Sequence, residues 1–235
     1  MTMELRPNSR GIGAAGIVVV FGLCAVLARA AGTTAPAPTP GLAEPPAGLY
    51  EVDKAHSSVL MRVSHLGFST YTTRFTRFDS ELTFDPKNPS ASQVVATIEA
   101  ASIAMDNWPQ GCIDILQGSK MLDTAKFPQI VFKSEQVRMT GTKSMEISGT
   151  LTLLGVARPV VLSATYNGGY SGMPGMDPHA RVGFSAHGSF KRSDFGMVFG
   201  IPAPGSTVGV SDLIDFAIEA EFNGPALAAP EGKSP

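Results

Sequence analysis

Residues 145–153 read MEISGTLTL, and this stretch decides the fold class because its hydrophobic period is two. Strict alternation of apolar or small residues with polar ones is typical of a β-strand that buries one face. Short turn sequences bound the stretch, at 140–143 on one side and 154–157 on the other, so antiparallel hairpins are predicted with both neighbours. The alternating positions are Met145, Ile147, Gly149, Leu151 and Leu153 against Glu146, Ser148, Thr150 and Thr152.

The same period continues outward in both directions and predicts about eight strands. They fall at 58–63, 71–84, 93–100, 129–139, 145–153, 160–166, 181–191 and 214–222. In the second run the aromatic spacing slips between Phe75 and Phe78, an odd step that predicts a β-bulge. One proline and two glycines interrupt the alternation in residues 107–126, where one or two short helices are expected. Eight antiparallel strands can form a sandwich or close into an up-and-down barrel that holds one small ligand.

Composition and charge exclude several classes of protein. The 235 residues carry 18 Lys and Arg against 20 Asp and Glu, a formal net charge of -2, so no nucleic-acid partner is expected. The chain has neither a Gly-X-Y period nor a heptad run, which excludes collagen and coiled coils. A single long uncharged stretch excludes a membrane protein with several spans.

That uncharged stretch lies near the amino terminus and predicts an export signal. Arg6 and Arg10 precede an apolar core at Ile17–Leu27, and Ala28-Arg29-Ala30 is a small-x-small cleavage pattern. Residues 1–30 are therefore predicted to be a signal peptide cleaved near Ala30, which places the protein in the periplasm; an uncleaved anchor is the alternative. A Pro/Ala-rich disordered linker is expected at 31–48, one domain at 49–223 and a flexible tail at 224–235.

The sequence gives little support for catalysis or metal binding. It contains no G-x-S-x-G elbow, P-loop or dinucleotide fingerprint, and its four histidines lack the local spacing of a metal clamp. No catalytic residue, metal site or cofactor is predicted. The mature chain would retain Cys112 alone, so the fold must depend on its apolar core rather than on a disulfide.

Large apolar residues on nearly every strand allow two interpretations. They can fill a solid core, or a subset can line a cavity for a long apolar ligand, and periodicity does not separate these because both require inward apolar side chains. The residues chosen as candidate ligand-binding positions are Val59, Met61, Val63, Phe75, Ile98, Ile130, Phe132, Phe184, Phe216 and Ile218.

Polar residues at two positions are further candidates for contact with the ligand. Arg192 either pairs with Asp194 in a structural role or helps to hold a polar ligand head, and Asp194 is a candidate for the same site. His56, just before the first alternating run, has the same two interpretations, structural or functional.

Several motifs, taken in order, resemble the YceI family of exported, polyisoprenoid-binding proteins. They are YEVDKAHSSVLMRVSHLG at 50–67, FTRFDSELTFDP at 75–86, LDTAKFPQIVF at 122–132, GTLTLLGVARP at 149–159 and FKRSDFG at 190–196. Together they cover almost the whole predicted domain. One departure is that residues 113–116 read IDIL, without the histidine that family members often carry there, which leaves the identity of the ligand's head group open.

The resemblance implies an eight-stranded antiparallel lipocalin-like barrel with a short helical insertion around residues 107–126. It further implies a cavity holding an isoprenoid lipid, such as a quinone tail or a polyprenyl compound, as carrier or store and without catalysis. Expected partners are that lipid and, transiently, a membrane or membrane protein; the oligomeric state stays open, a homodimer included. The alternatives are an enzyme acting on a lipid-like substrate in the cavity and a ligand-free structural or assembly module.

Overall fold

A computed structural model describes residues 43–106 and 108–227, and one antiparallel sheet contains all the strands named in these ranges. The strands are β1 Gly48–Val52, β2 Ser58–His65, β3 Ser69–Phe75, β4 Phe78–Phe84, β5 Gln93–Glu99, β6 Ile103–Ala104, β7 Gln129–Met139, β8 Ser144–Leu153, β9 Val156–Tyr170, β10 His179–Lys191 and β11 Val210–Ala226. The α-helix is α1 Gln110–Gln117, and 3₁₀ turns occupy Pro89–Ala91, Ala100–Ser102 and Arg192–Phe195.

The sheet closes on itself because its last strand pairs with its first. β11 is 17 residues long and pairs with β10 on one side and with both β2 and β1 on the other. Three of the barrel's eight strands are bent, and each consists of two consecutive segments: β1 and β2, β3 and β4, and β5 and β6. The pairings show this, because β1 pairs with β4 while β2 pairs with β3, and β3 pairs in turn with β6. The result is the predicted eight-stranded, up-and-down antiparallel barrel, which is confirmed in place of the sandwich.

The bends occur where side chains or loops interrupt the ladder. Between β3 and β4 the Thr76 N–H leaves the sheet and donates to the Ser102 carbonyl over 3.1 Å. This interruption lies between Phe75 and Phe78, where the sequence predicts an irregularity. Between β1 and β2 the Asp53 N–H still donates to the Glu221 carbonyl over 2.8 Å, which keeps the bent strand attached to β11.

The β8–β9 hairpin, which the opening sequence stretch predicts, is closed by two residues. Leu154 and Gly155 have φ values of 54° and 72°, the left-handed pair that matches the twist of a tight hairpin. Within β8, Gly149 allows close packing, because a Cβ there would lie 2.6 Å from the Phe132 ring. Glycine at this position therefore allows the Phe132 ring to lie across β8.

Helix α1 covers one end of the barrel. It begins after Pro109 and ends at Gly118, as the breakers in residues 107–126 predict. The Gln117 side-chain amide donates to the Ala101 carbonyl over 3.0 Å, which fixes the helix to the 3₁₀ turn after β5. The segment at 197–209 lies at the same end, because Lys120 just after α1 contacts the Phe199 ring, and the β2–β3 turn at 66–68 is bonded to that segment at Gly209. This end is called the α1 end below.

The opposite end is filled by aromatic rings. Phe184 stands at the centre, with ring centroids 5.7 Å from Phe84, 5.3 Å from Tyr166 and 6.3 Å from Phe222. Tyr50 packs edge-on against Phe84 at 6.0 Å. The Tyr166–Phe184 contact is tilted and the other three are edge-to-face. Aromatic pairs at these spacings are favourable beyond their buried area, so the rings form a floor at this end.

The ends of the domain extend slightly beyond the predicted boundaries. Part of the expected linker, residues 43–47, lies on the barrel: the Ala43 carbonyl accepts from the Ser171 N–H over 2.9 Å, and the Pro46 carbonyl accepts from the Tyr50 hydroxyl over 2.6 Å. The predicted signal peptide, the rest of the linker and most of the tail lie outside the described residues. Within the described ranges, no helix has the length and hydrophobicity needed to span a bilayer.

Candidate functional site: an apolar cavity inside the barrel

The barrel encloses a cavity of about 510 Å³ between the aromatic floor and the α1 end. The buried apolar side chains around it form four clusters, which partly buried residues such as Phe78 and Met61 connect along the wall. Ligand cavities of ~300–1,000 Å³ are the usual size for small-molecule sites, so this interior is large enough to hold a ligand.

All ten apolar positions selected from the sequence lie on the cavity wall. Because side chains alternate across a strand, one face of each strand points inward, and the period-two pattern identifies that face. The ten residues are Val59, Met61, Val63, Phe75, Ile98, Ile130, Phe132, Phe184, Phe216 and Ile218. Their placement is suited to binding an apolar ligand, and their contact with a ligand stays a prediction.

Two further groups on the wall were not predicted from the sequence. Met105 and several residues of the insertion, which has no strand period, face the cavity from the α1 end: Trp108, Cys112, Ile115, Leu116, Met121 and Leu122. The second group consists of small residues that leave space in the interior: Ala96, Ala164 and Ala186. The alternation of side chains along a strand, which identified the ten large apolar positions, could also have identified these alanines.

Arg192 brings a buried cation to this apolar wall. The residue is 1% exposed, and its guanidinium donates to four backbone carbonyls at the α1 end. The acceptors are Ser211 at 2.9 Å from Nε, Met197 at 3.0 Å and Phe199 at 2.8 Å from Nη1, and Val210 at 2.8 Å from Nη2. Burial lowers the pKa of Arg192, while the charge of Asp212 acts in the opposite direction.

These bonds correct the expected pairing of Arg192 with Asp194. The guanidinium is turned toward the 197–211 backbone, and within the described ranges no carboxylate lies in salt-bridge range of it. Asp194 is exposed and outside the cavity, and its backbone carbonyl accepts from Arg158 Nε over 3.1 Å. The 3₁₀ turn is instead held by Asp212, which accepts from the Ser193 N–H and hydroxyl at 2.9 and 2.8 Å.

One donor in the wall lacks a partner. All three guanidinium nitrogens of Arg192 donate to backbone carbonyls. The Ser92 hydroxyl, on the wall away from Arg192, is buried without a hydrogen-bond partner in the described part of the chain. Unsatisfied buried groups carry a desolvation cost that a ligand's polar atoms can relieve.

His56 lies outside the cavity, in a charged cluster on the outer surface at the β1–β2 bend. Its Nδ1 lies 2.9 Å from an Asp53 carboxylate oxygen. Arg181 Nη1 donates to the same carboxylate at 2.7 Å and to Glu221 at 3.2 Å, while its Nε reaches Asp177 at 2.5 Å. These hydrogen bonds hold β1, β10 and β11 together at the seam where the barrel closes.

The hydrogen bonds shift the pKa values of the cluster. Hydrogen bonds, first from His56 and then from Arg181, lower the pKa of Asp53 to about 2, and Arg181 lowers that of Asp177 to about 2. The pKa of His56 is raised, chiefly by its bond to Asp53. One His and two carboxylates, Asp53, His56 and Glu221, come within metal-ligating distance of one another, which the sequence spacing did not indicate. Arg181 already occupies their carboxylates, so a structural ion-pair cluster accounts for the arrangement.

The family of the chain follows from comparison of its sequence. The YceI-like domain matches residues 50–222, which is nearly the whole barrel. The protein belongs to the YceI-like family. The resemblance stated from its motifs is thereby confirmed. A YceI protein of Salmonella arizonae is 39% identical to it over 152 residues, covering 63% of this chain and 75% of that one.

Solved structures agree with the barrel. A YceI protein of Campylobacter jejuni has a TM-score of 0.58 and 30% identity, over 69% of this YceI-like chain and 90% of its own. A polyisoprenoid-binding domain from Saccharophagus degradans has a TM-score of 0.54 and 13% identity, over 79% of this chain and 100% of its own, which is a likeness of fold alone.

Proposed function

We propose that this YceI-like protein is an exported, non-enzymatic binder of one isoprenoid lipid, held in the barrel cavity as a carrier or store. The observation that carries the proposal is a cavity of about 510 Å³ whose wall is apolar apart from a few polar groups. Burying an isoprenoid chain there gains ~25 cal/mol for each Å² of apolar surface removed from water. The family membership and the name of the Saccharophagus domain point to the same class of ligand.

The cavity suits a chain better than a compact polar molecule. Its wall is built from branched aliphatic side chains and aromatic rings, with alanines in place of larger residues at Ala96, Ala164 and Ala186. Such a wall offers dispersion contacts along a methyl-branched chain and few hydrogen bonds. A quinone tail and a polyprenyl compound share this chemistry, and we include both in the proposal.

The head group of the ligand is assigned to the Arg192 side of the cavity. The buried guanidinium of Arg192 lines the cavity and places a positive charge in a low-dielectric wall, which favours a carbonyl, phenolic or phosphate oxygen. The ring-filled floor at Phe84, Phe184 and Phe222 then contacts the end of the tail. This orientation replaces the proposed contacts of His56 and Asp194, which do not reach the cavity.

An enzyme acting on a lipid in the same cavity is the second candidate, and the geometry favours it less. His56 and His65 are the two histidines available for that role, and His56 lies on the outer surface. His65 lines the cavity near Tyr71, but no carboxylate in the described residues lies within ion-pair range of it. A general base usually needs such an orienting partner.

Native mass spectrometry of the protein purified from its own host tests the proposal. We expect a mass increment equal to one isoprenoid lipid, which organic extraction releases unchanged. The same spectrum gives the subunit count and, with amino-terminal sequencing, shows whether residues 1–30 have been removed. Apo protein from the host, with no lipid in the extract, would contradict lipid binding. Conversion of a labelled isoprenoid by the purified protein would favour the enzyme instead.

A further inference from the structure

The α1 end of the barrel exposes a concentration of large apolar side chains. Phe68 at the tip of the β2–β3 turn is 88% exposed and Val208 in the neighbouring segment is 77% exposed. Three others at this end are at least 45% exposed: Ile115, Val198 and Phe199. We call these five residues the rim patch. The other large exposed apolar side chains of the described residues lie on strands, at Leu49, Val95, Val161 and Leu213, or at the opposite end, at Met176.

The backbone under the rim patch is held in place by hydrogen bonds. The Leu66 N–H donates to the Gly209 carbonyl over 2.8 Å, which joins the β2–β3 turn to the 197–209 segment. The Val210 N–H donates to the Gly200 carbonyl over 2.8 Å, and Arg192 holds Phe199 from below. The backbone that carries these apolar side chains is therefore ordered. Their exposure to water does not contribute to the stability of the fold.

The rim loops carry no charge. Residues 66–73 and 195–211 contain no Asp, Glu, Lys or Arg. Beside them, Lys120 places its ammonium 5.3 Å from the centre of the Phe199 ring. The two loops therefore form an uncharged apolar tip, with Lys120 and the exposed Asp114 of α1 beside it. Such a tip suits the interface of a bilayer, where apolar groups enter the acyl region and charged groups stay among the headgroups. A surface for a protein partner would normally carry a charged or polar rim around its apolar centre.

The rim patch is continuous with the cavity. Ile115 and Phe199 belong to the patch and also line the cavity, so the apolar surface runs from the outside into the interior. We infer that the α1 end docks on a lipid bilayer through the rim patch. This inference rests on the proposed function, because docking there would let an isoprenoid lipid pass between bilayer and cavity without crossing water.

Local fluorescence quenching tests the docking. Two variants of the full chain carry one tryptophan each, Phe68→Trp and Met176→Trp, both in the Trp108→Phe background. Each is mixed with phosphatidylcholine vesicles whose acyl chains carry bromine. We expect quenching and a blue shift for the tryptophan at position 68 and neither for that at position 176. Because bromine quenches only a nearby indole, binding of the apolar amino-terminal stretch to the vesicle does not change this comparison.

A second variant measures the contribution of the patch. The double variant Phe68→Ser, Val208→Ser should lower the rate of lipid transfer from vesicles by about tenfold. This is the value expected if two side chains each lose part of the apolar surface that they bury in the bilayer. High salt should leave transfer by the wild type unchanged. Equal quenching at both ends, or none at position 68, would overturn the inference.

Three other outcomes are distinguishable. If the double serine variant instead dissociates a dimer in sedimentation analysis and position 68 is not quenched, the patch is a contact between copies and bilayer docking is wrong. If the wild-type protein docks but neither it nor the variant ever contains a lipid, lipid binding fails while docking stands. If the wild type and the double serine variant take up equal amounts of lipid from detergent, and only the variant loses transfer from vesicles, then lipid binding and bilayer docking are both supported.

Discussion

Nη1 of the buried Arg192 donates to the carbonyl of Phe199 over 2.8 Å, which connects the cavity wall directly to the exposed rim. The same guanidinium binds carbonyls on both sides of the 197–209 segment, at Met197 and at Val210. A single side chain therefore closes this segment into a fixed loop over the cavity. The arginine is a structural element of the fold and a candidate contact for the ligand.

We expect Arg192→Met to loosen this loop. Methionine keeps much of the volume but leaves four carbonyls without their donor, which should cost about 2–4 kcal/mol of unfolding free energy in urea titrations. Limited proteolysis should cut first within residues 197–209. Arg158→Met is the control, because that exposed arginine donates to the Asp194 carbonyl at the same end of the barrel. Equal losses for both variants would contradict a special role for Arg192.

Phe132→Asp should abolish retention of lipid. Phe132 points into the cavity from β7, and a carboxylate on that wall disfavours an apolar chain by its desolvation cost. The matched control is Val95→Asp on the adjacent β5, whose side chain is exposed and absent from the cavity wall. Lipid per protein, measured by mass spectrometry of extracts, should fall only for the Phe132 variant. Equal loading in both variants would mean that the ligand lies elsewhere.

Ala186→Phe should fill the cavity without adding a charge. Ala186 lines the interior from β10, where an added ring can extend into the empty volume. We expect lipid loading to fall at least severalfold, with a change in stability below about 1.5 kcal/mol, because a cavity accepts volume that a packed core does not. Ala217→Phe on β11, outside the cavity lining, is the control. Strong destabilisation by Ala186→Phe alone would indicate a filled interior.

Sequence periodicity predicted the wall of the site well because a strand has two faces. Knowing that Ile130 and Phe132 lie on one strand with an apolar period of two is enough to place both inward. Closure of the sheet was less accessible, since it depends on the 17-residue β11 pairing with β2 and β1 at once. Local patterns do not encode that pairing, which is why a sandwich stayed open.

The polar features could not be predicted for a different reason. Arg192 binds backbone carbonyls, and backbone acceptors leave no signature in a sequence. Asp53 meets Arg181 across 128 positions of the chain, so no local spacing indicates their ion pair. The exposure of Phe68 is equally non-local, because a phenylalanine next to a strand is more often buried.

Gly149→Ala should destabilise the barrel. A methyl group there would lie 2.6 Å from the Phe132 ring and closer still to the Lys133 carbonyl oxygen, so the β7–β8 pair must shift. We expect a loss of about 1–3 kcal/mol in urea unfolding, as is usual for overpacking. Gly183→Ala in β10 is the control, because its nearest neighbour would be 3.8 Å away. A neutral Gly149→Ala would show that the two strands separate easily.

Acid should weaken the seam of the barrel through Asp53 and Asp177. Their ordinary pKa of 3.8 falls to about 2 in the folded protein, chiefly through hydrogen bonds from His56 to Asp53 and from Arg181 to Asp177. Between these values the unfolded chain binds more protons than the native protein, so stability rises with pH there. The contribution is complete above about pH 4 and is lost as the pH falls toward about 2. His56, whose pKa is raised, has the opposite sign: its contribution is present at acidic pH and is lost as the pH rises through its native pKa.

Asp177→Asn isolates one of these groups. At neutral pH we expect the wild type to be more stable than the variant, because asparagine cannot form the ion pair with Arg181 that Nε makes at 2.5 Å. That advantage should shrink as the pH falls from about 4 to about 2, since the wild-type carboxylate then becomes protonated. Asp215→Asn on the exposed outer face of β11 serves as the control, because that carboxylate forms no ion pair with Arg181. The measurement is the urea midpoint of each protein at each pH. If the wild type keeps its full stability advantage over the variant at about pH 2, the Asp177–Arg181 ion pair does not stabilise the seam.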